Sequence, residues 1–243
     1  KQGFSVLTID CDPQGNLSMS VAAENQDSAT MYEVMKGTVT AREAIQHTAA
    51  CDIIPANTIL AGIEQELHSV GKEMTLREKL RDEEIGVADD YDYILIDCPP
   101  SLGLLTVNAL TAADYLLIPT MAETFAASGI TQLYDTYRSV KKYTNPALEI
   151  DGVLLTRTER TRVTRTIQEL TEKIADYMGA DVYRTTIRSN VIIKEAQAVQ
   201  ENVFDYIESK AQTKGERVSE ASRNFVNDCL NFVKEFVEKE REQ

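Results

Sequence analysis

Residues 91–103 read YDYILIDCPPSLG, and the reading of this stretch decides the fold. Ile94, Leu95 and Ile96 form an aliphatic, largely β-branched run that ends on Asp97, and Pro99 and Pro100 then stop the strand and delay any helix. The pattern predicts a buried strand that delivers a carboxylate at its C-terminal end. In open parallel α/β sheets that edge is where ligands bind, and a carboxylate there can hold Mg²⁺, directly or through water, beside a nucleotide. The same residue could instead cap the following helix.

Upstream, Ser5 to Ile9 reads as a second strand running into Asp10-Cys11-Asp12-Pro13-Gln14-Gly15-Asn16. Two carboxylates two residues apart, followed by a Pro and Gly turn, can hold a water or a metal while the turn stays free to move. Short helices are predicted at Ser28 to Lys36 and Thr40 to His47, the second with a capping box between Thr40 and Glu43. A short strand is expected at Cys51 to Ile54, and helices at Thr58 to Ser69 and from Thr75 to about Glu84.

Downstream the alternation continues. A helix is expected from Ser101 to Ala113, a strand from Tyr115 to Ile118 ended by Pro119, and a long helix from Glu123 to Tyr143. Ile150 to Leu155 reads as a strand, Arg162 to Met178 as a basic helix, Thr185 to Gln197 as a short strand or loop entering a helix, and Ser219 to Lys239 as a final amphipathic helix. Strand and helix in turn predict an α/β fold: a mostly parallel sheet with helices on both faces and right-handed crossovers. With six prolines, eleven glycines and no low-complexity block in 243 residues, a single domain is expected over residues 1–243.

Composition removes several function classes. Cys11, Cys51, Cys98 and Cys229 are scattered, and with only His47 and His68 as imidazoles a zinc site is not expected. Neither GxSxG nor HExxH occurs, so serine-hydrolase and zinc-protease chemistry lack support. No apolar run reaches the roughly 20 residues of a membrane span, which predicts a cytoplasmic protein without a membrane partner. The net charge of −14 opposes general adhesion to polyanions. Eight basic residues against five acidic ones between Arg157 and Lys194 make that segment the expected place for any such contact.

In sequence order these pieces resemble the ParA/Soj family of plasmid and chromosome partition ATPases, relatives of MinD. The resemblance is carried by VLTIDCDPQGNLS at 6–18, YDYILIDCPPSLGLLTVNAL at 91–110, AADYLLIPT at 112–120, GVLLTRTERTR at 152–162 and IRSNVIIKEAQ at 187–197. It implies a P-loop NTPase-like fold with ATP and Mg as cofactors. Asp12 would help position the water that attacks the γ-phosphate, Asp10 would lie in the same mobile switch, and Asp97 would be the Walker B carboxylate that holds Mg²⁺ through water. Thr156, Arg157, Ile187 and Arg188 would lie where the family encloses the adenine. It further implies a nucleotide-bound homodimer and a DNA-bound, ParB-like centromere-binding partner. Arg188, Lys194 and Lys210 would give a weak, nonspecific DNA contact, although the family's Pro-Arg-Asn order is replaced by Ile187-Arg188-Ser189-Asn190.

Two cousins fit less well: the tail lacks the basic excess of a MinD-like membrane helix, and Cys98 reads as packing rather than as a cluster ligand. The family's deviant Walker A loop, Lys-Gly-Gly-x-Gly-Lys-Thr, is not found. Gly71-Lys72 is followed by Glu73, and Lys214-Gly215 has the reversed order. The expectation is therefore an N-terminally shortened chain, lacking the P-loop strand and helix, that binds ATP poorly and hydrolyses it hardly at all. A partition ATPase is the leading reading, and a non-catalytic interaction or regulatory protein is the alternative.

Overall fold

The computed structural model describes residues 3–121, 126–159, 162–213 and 219–241. Contacts divide the chain into two compact units, the first made of Lys1–Asp114, Thr136–Leu148 and Ala198–Asn202, the second of Tyr115–Asp135, Glu149–Gln197 and Val203–Gln243.

In the first unit, β1 (Val6–Asp10) leads to α1 (Asn16–Ser20), α2 (Met31–Lys36), α3 (Ala41–Ala44), β2 (Gln46–His47) and β3 (Asp52–Ile54). Then come α4 (Ile63–Glu66), α5 (Thr75–Arg81), β4 (Tyr93–Asp97) and α6 (Leu104–Ala112). The sheet order is β2-β3-β1-β4, parallel throughout except for the antiparallel β2 edge. Alternation along β1 sends Leu7 and Ile9 into one buried cluster with Ile54, Met31, Leu60 and Leu76, against which Ile94 and Ile96 of β4 also pack. β4 is an edge strand, and Leu95 on its other face is 53% exposed.

The second unit contains β5 (Tyr115–Met121), the first part of α7 (Ala126–Tyr143), β6 (Glu149–Thr156), α8 (Arg162–Met178), α9 (Ile192–Ala198), α10 (Val203–Thr213) and α11 (Glu220–Glu240). β5 and β6 pair in parallel, and single parallel bridges Val153↔Val182 and Thr158↔Arg188 extend the far side of β6. Ile118, Val153, Ile130, Ala175 and Met178 form its core cluster.

Several boundaries differ from the sequence reading, each for a local reason. The Thr40 helix ends at Ala44, because Ile45 is already extended and Gln46 and His47 pair with β3 instead. The Thr58–Ser69 helix is a 3₁₀ turn, Thr58–Gly62, capped by the Asn57 side chain, followed by one α turn that ends at the extended Leu67. β5 continues through Pro119 to Met121, since an edge strand tolerates a residue without an N–H. α10 had no counterpart in the sequence reading. The start of the long helix at Glu123 and the Lys214-Gly215 pair lie outside the described residues.

One buried amide closes the first unit. Asn145, 4% exposed, donates from Nδ2 to the carbonyls of Leu110 at 3.0 Å and Ala113 at 2.6 Å, tying off the end of α6. Asn145→Ala is expected to leave these carbonyls short of a donor and to cost about 1–3 kcal/mol in urea unfolding.

Candidate active site

β1 and β4 pair in a register that sets Asp10 directly opposite Asp97. Both carboxylates therefore stand at the C-terminal ends of adjacent parallel strands, and the Cys11 N–H donates to the Asp97 carbonyl at 2.8 Å. Asp12 follows in the turn beyond β1. The structure thus brings together the three carboxylates singled out in the sequence, but gives them different environments.

Asp10 is fully buried and faces inward on its own loop. Its Oδ1 accepts the Asp12 N–H at 3.1 Å, while its Oδ2 accepts the Ser18 N–H at 2.9 Å and the Ser18 hydroxyl at 2.7 Å. The Ser18 Oγ in turn accepts the Ala56 N–H at 2.9 Å, which links the turn to the end of β3. Such a saturated carboxylate holds the loop rather than meeting a ligand. Ser18 had no signal in the sequence, because a hydroxyl eight residues beyond an Asp belongs to no periodic pattern.

Asp12 is only half-buried. Its Oδ1 accepts the Gln14 N–H at 3.0 Å and its carbonyl accepts the Gly15 N–H at 2.9 Å, giving a tight turn that leads into α1. Gly15 has φ +63, and a Cβ there would lie 2.8 Å from the Ala56 carbonyl oxygen, so both conformation and space require glycine.

Asp97 keeps contact with solvent, yet partial burial, followed by the charges of Asp10 and Asp12, pushes its carboxyl above the usual range. Three carboxylates at one sheet edge leave a deficit of positive charge, which suits a hard cation. Among the described residues, no three acidic, Cys or His side chains converge as a direct ligand set.

In the second unit the structure gathers the 156 and 187 segments at the end of β6. Thr156 Oγ1 donates to the Thr120 carbonyl at 3.1 Å, the Ile187 N–H to the Leu155 carbonyl at 2.9 Å, and the Thr158 N–H to the Ile187 carbonyl at 3.1 Å. Arg157 adopts φ +52, a left-handed conformation rare outside glycine, with its Nη1 2.9 Å from the Met121 sulfur.

The proposed DNA-contacting residues are more engaged than their sequence suggests. Arg188 donates through Nε to Asp228 Oδ2 at 2.6 Å and through Nη2 to Oδ1 at 2.8 Å. Lys210 lies 3.0 Å from Glu195 Oε2, and Lys194 is exposed on α9. Arg160 and the side chains of Arg162 and Arg165 lie outside the described residues. Asp228, forty residues from Arg188 on the amphipathic α11, gave no sequence cue to this pairing.

Comparison with known proteins gives matches across most of the chain. A family described as an AAA domain matches residues 1–150. The sporulation initiation inhibitor protein Soj of Bacillus subtilis is 41% identical over 198 residues, 80% of this chain and 76% of Soj. The chromosome partitioning protein ParA of Caulobacter vibrioides is 39% identical over 208 residues, 84% of this chain and 76% of that protein. Among solved structures, cobyrinic acid a,c-diamide synthase from Mycobacterium smegmatis with bound ADP and magnesium superposes with a TM-score of 0.70 at 33% identity, covering 89% of this chain and 86% of that one.

The raised Asp97 carboxyl has a testable consequence. A group that holds its proton more tightly when folded contributes most stability at low pH and loses it as pH climbs from about 4, the unfolded value, through its raised folded value. Asp97→Asn, without added cation, is expected to raise the thermal midpoint at pH 7 more than at pH 4, by roughly 2–4 °C for each kcal/mol of penalty removed.

Proposed function

The chain belongs to the ParA/Soj family of partition ATPases, and from that premise we propose that it acts as an ATP-dependent switch in plasmid or chromosome partitioning. In this reading it dimerises when nucleotide-bound and works with a ParB-like, DNA-bound partner in the cytoplasm. The observation that carries the reading is the β1–β4 register, which sets Asp10 and Asp97 side by side with Asp12 in the adjoining turn.

Each carboxylate then has a distinct task. Asp97 would hold Mg²⁺, and the ion when bound would neutralise charge on the phosphates of ATP. Asp12, held by its turn but with Oδ2 unpartnered among the described residues, orients the attacking water. Asp10 positions Asp12, because its Oδ1 fixes the Asp12 backbone N–H at 3.1 Å. Phosphoryl transfer asks for little more from this edge, since orientation and charge neutralisation dominate the barrier. Thr156, Arg157, Ile187 and Arg188, gathered at the end of β6, are the proposed adenine contacts.

The test is hydrolysis of Mg-ATP by the purified protein, with duplex DNA and its DNA-bound partner present. Asp12→Ala is expected to lower turnover by about 10²–10³-fold while nucleotide binding, followed by isothermal titration, persists. No binding of Mg-ATP by the protein would overturn the switch and favour a non-catalytic interaction protein.

Nonspecific DNA contact is the second part of the reading. With Arg188 and Lys210 held by carboxylates and a net charge of −14, the contact is weak. Retention on nonspecific duplex DNA is expected at low salt only, and Arg188→Ala with Lys194→Ala should abolish it. No retention at any salt concentration removes DNA from the proposal.

A further inference from the structure

The three cations of the second unit that were singled out for a DNA contact differ in their partners. Arg188 gives two side-chain bonds to Asp228 of α11, from Nε at 2.6 Å and from Nη2 at 2.8 Å, and its own N–H meets the same carboxylate at 3.3 Å. Lys210 of α10 donates to Glu195 Oε2 of α9 at 3.0 Å, and that oxygen also accepts the Tyr206 hydroxyl at 3.3 Å. Lys194, beside Glu195 in the chain, is exposed. Two of the three cations thus carry a carboxylate of their own unit against them.

A cation so paired is only a dipole to anything outside. Sequence-independent binding to a duplex comes from Lys and Arg side chains that neutralise phosphates and release their counterions. Seen from a Debye length away, about 8–10 Å, a cation with a carboxylate at 2.6–3.0 Å presents almost no net charge, so a phosphate gains little unless the pair opens. Opening is unequal for the two. The Asp228 side chain is 10% exposed and would be left without its counter-charge, whereas the Glu195 side chain is 37% exposed and water would replace the lysine.

We propose that Asp228 and Glu195 are internal masks on a polyanion-binding face, each occupying a cation that duplex DNA would otherwise take. Of the three cations, the wild-type chain then offers phosphates only Lys194, and it gains Arg188 and Lys210 when the masks lose their charge. The proposal rests on the DNA contact put forward above and adds its restraint. Arg188 is masked firmly, through a buried partner, and Lys210 loosely, through a partly exposed one.

Weak binding follows here from local pairing, and not only from the net charge of −14. The two causes separate experimentally, because a mask can lose its charge and keep its shape. Asn at position 228 and Gln at position 195 each retain one oxygen to accept a bond from the cation and no longer neutralise it. The same loss of charge elsewhere in the chain leaves both masks in place.

The experiment follows the fluorescence anisotropy of a labelled duplex of mixed sequence, titrated with the full chain over a series of potassium chloride concentrations. Asp228→Asn and Glu195→Gln are each expected to tighten binding at low salt and to steepen the slope of log K against log salt by about 0.9, one phosphate apiece. Asp89→Asn, an exposed position of the first unit, removes the same charge and is expected to keep the wild-type slope. Adding Arg188→Gln to Asp228→Asn, or Lys210→Gln to Glu195→Gln, should return the slope to the wild-type value. Because Asp228 also holds the Arg188 N–H, thermal unfolding is followed for every variant, and Glu195→Gln decides alone where Asp228→Asn does not fold. A wild-type chain that binds at no salt concentration removes the DNA contact proposed above, and the masks survive that result only if the two variants bind. The proposal is overturned if Asp228→Asn and Glu195→Gln behave as Asp89→Asn does, or if the slope stays steep in the double variants.

Discussion

The buried carboxylate of Asp10 is the constraint from which the site follows. A carboxyl group with no exposure to water is tolerated only where hydrogen-bond partners replace its hydration, and three do so here: the Asp12 N–H, the Ser18 N–H and the Ser18 hydroxyl. Those three donors come from the turn and helix just beyond the strand, so satisfying the buried oxygens dictates the path of residues 11–18. Gly15 completes the constraint from the other side, because only its bare Cα can pass the Ala56 carbonyl. The outward position of Asp12 is a by-product of this arrangement. An inward carboxylate has been used to aim an outward one.

The sheet edge was legible in the sequence because strands announce themselves where an aliphatic run ends in a polar residue and a turn. Val6 to Asp10 and Tyr93 to Asp97 both have that form, and their register makes neighbours of the carboxylates that end them. Less legible was everything decided by long-range partners. Asp10 reads like Asp12 in the sequence, but burial separates their roles. The helix expected over Thr58–Ser69 has apolar residues at helical spacing, yet the backbone divides it at Gly62 and ends it at Leu67. Spacing reports which face is apolar and says little about where a helix stops.

The second unit shows the same limit for charge. Arg188 and Lys210 look like free cations when counted along the chain, whereas each meets a carboxylate in three dimensions. Asp228 is 7% exposed and takes two side-chain bonds from Arg188, so the pair also docks α11 against the 187 segment. Further along α11, Glu235 accepts the N–H groups of Arg184 and Thr185, at 2.8 and 2.9 Å. Tyr183 also donates to the buried Asp151. The positive balance of this region is therefore spent in part on holding its own last helix.

The pairing of β1 with β4 also bears on how the chain reaches its native state. Ser5 and Asp92, bonded where the two strands begin, are separated by 87 residues. Parallel neighbours need such crossovers, and closing a long loop costs entropy before any contact rewards it. Helices α2 and α3 take their capping boxes from neighbours three residues away, whereas the facing of Asp10 and Asp97 depends on a non-local pairing. The carboxylate pair therefore exists only in a chain whose long crossover has closed, so the site and the sheet of this unit stand or fall together.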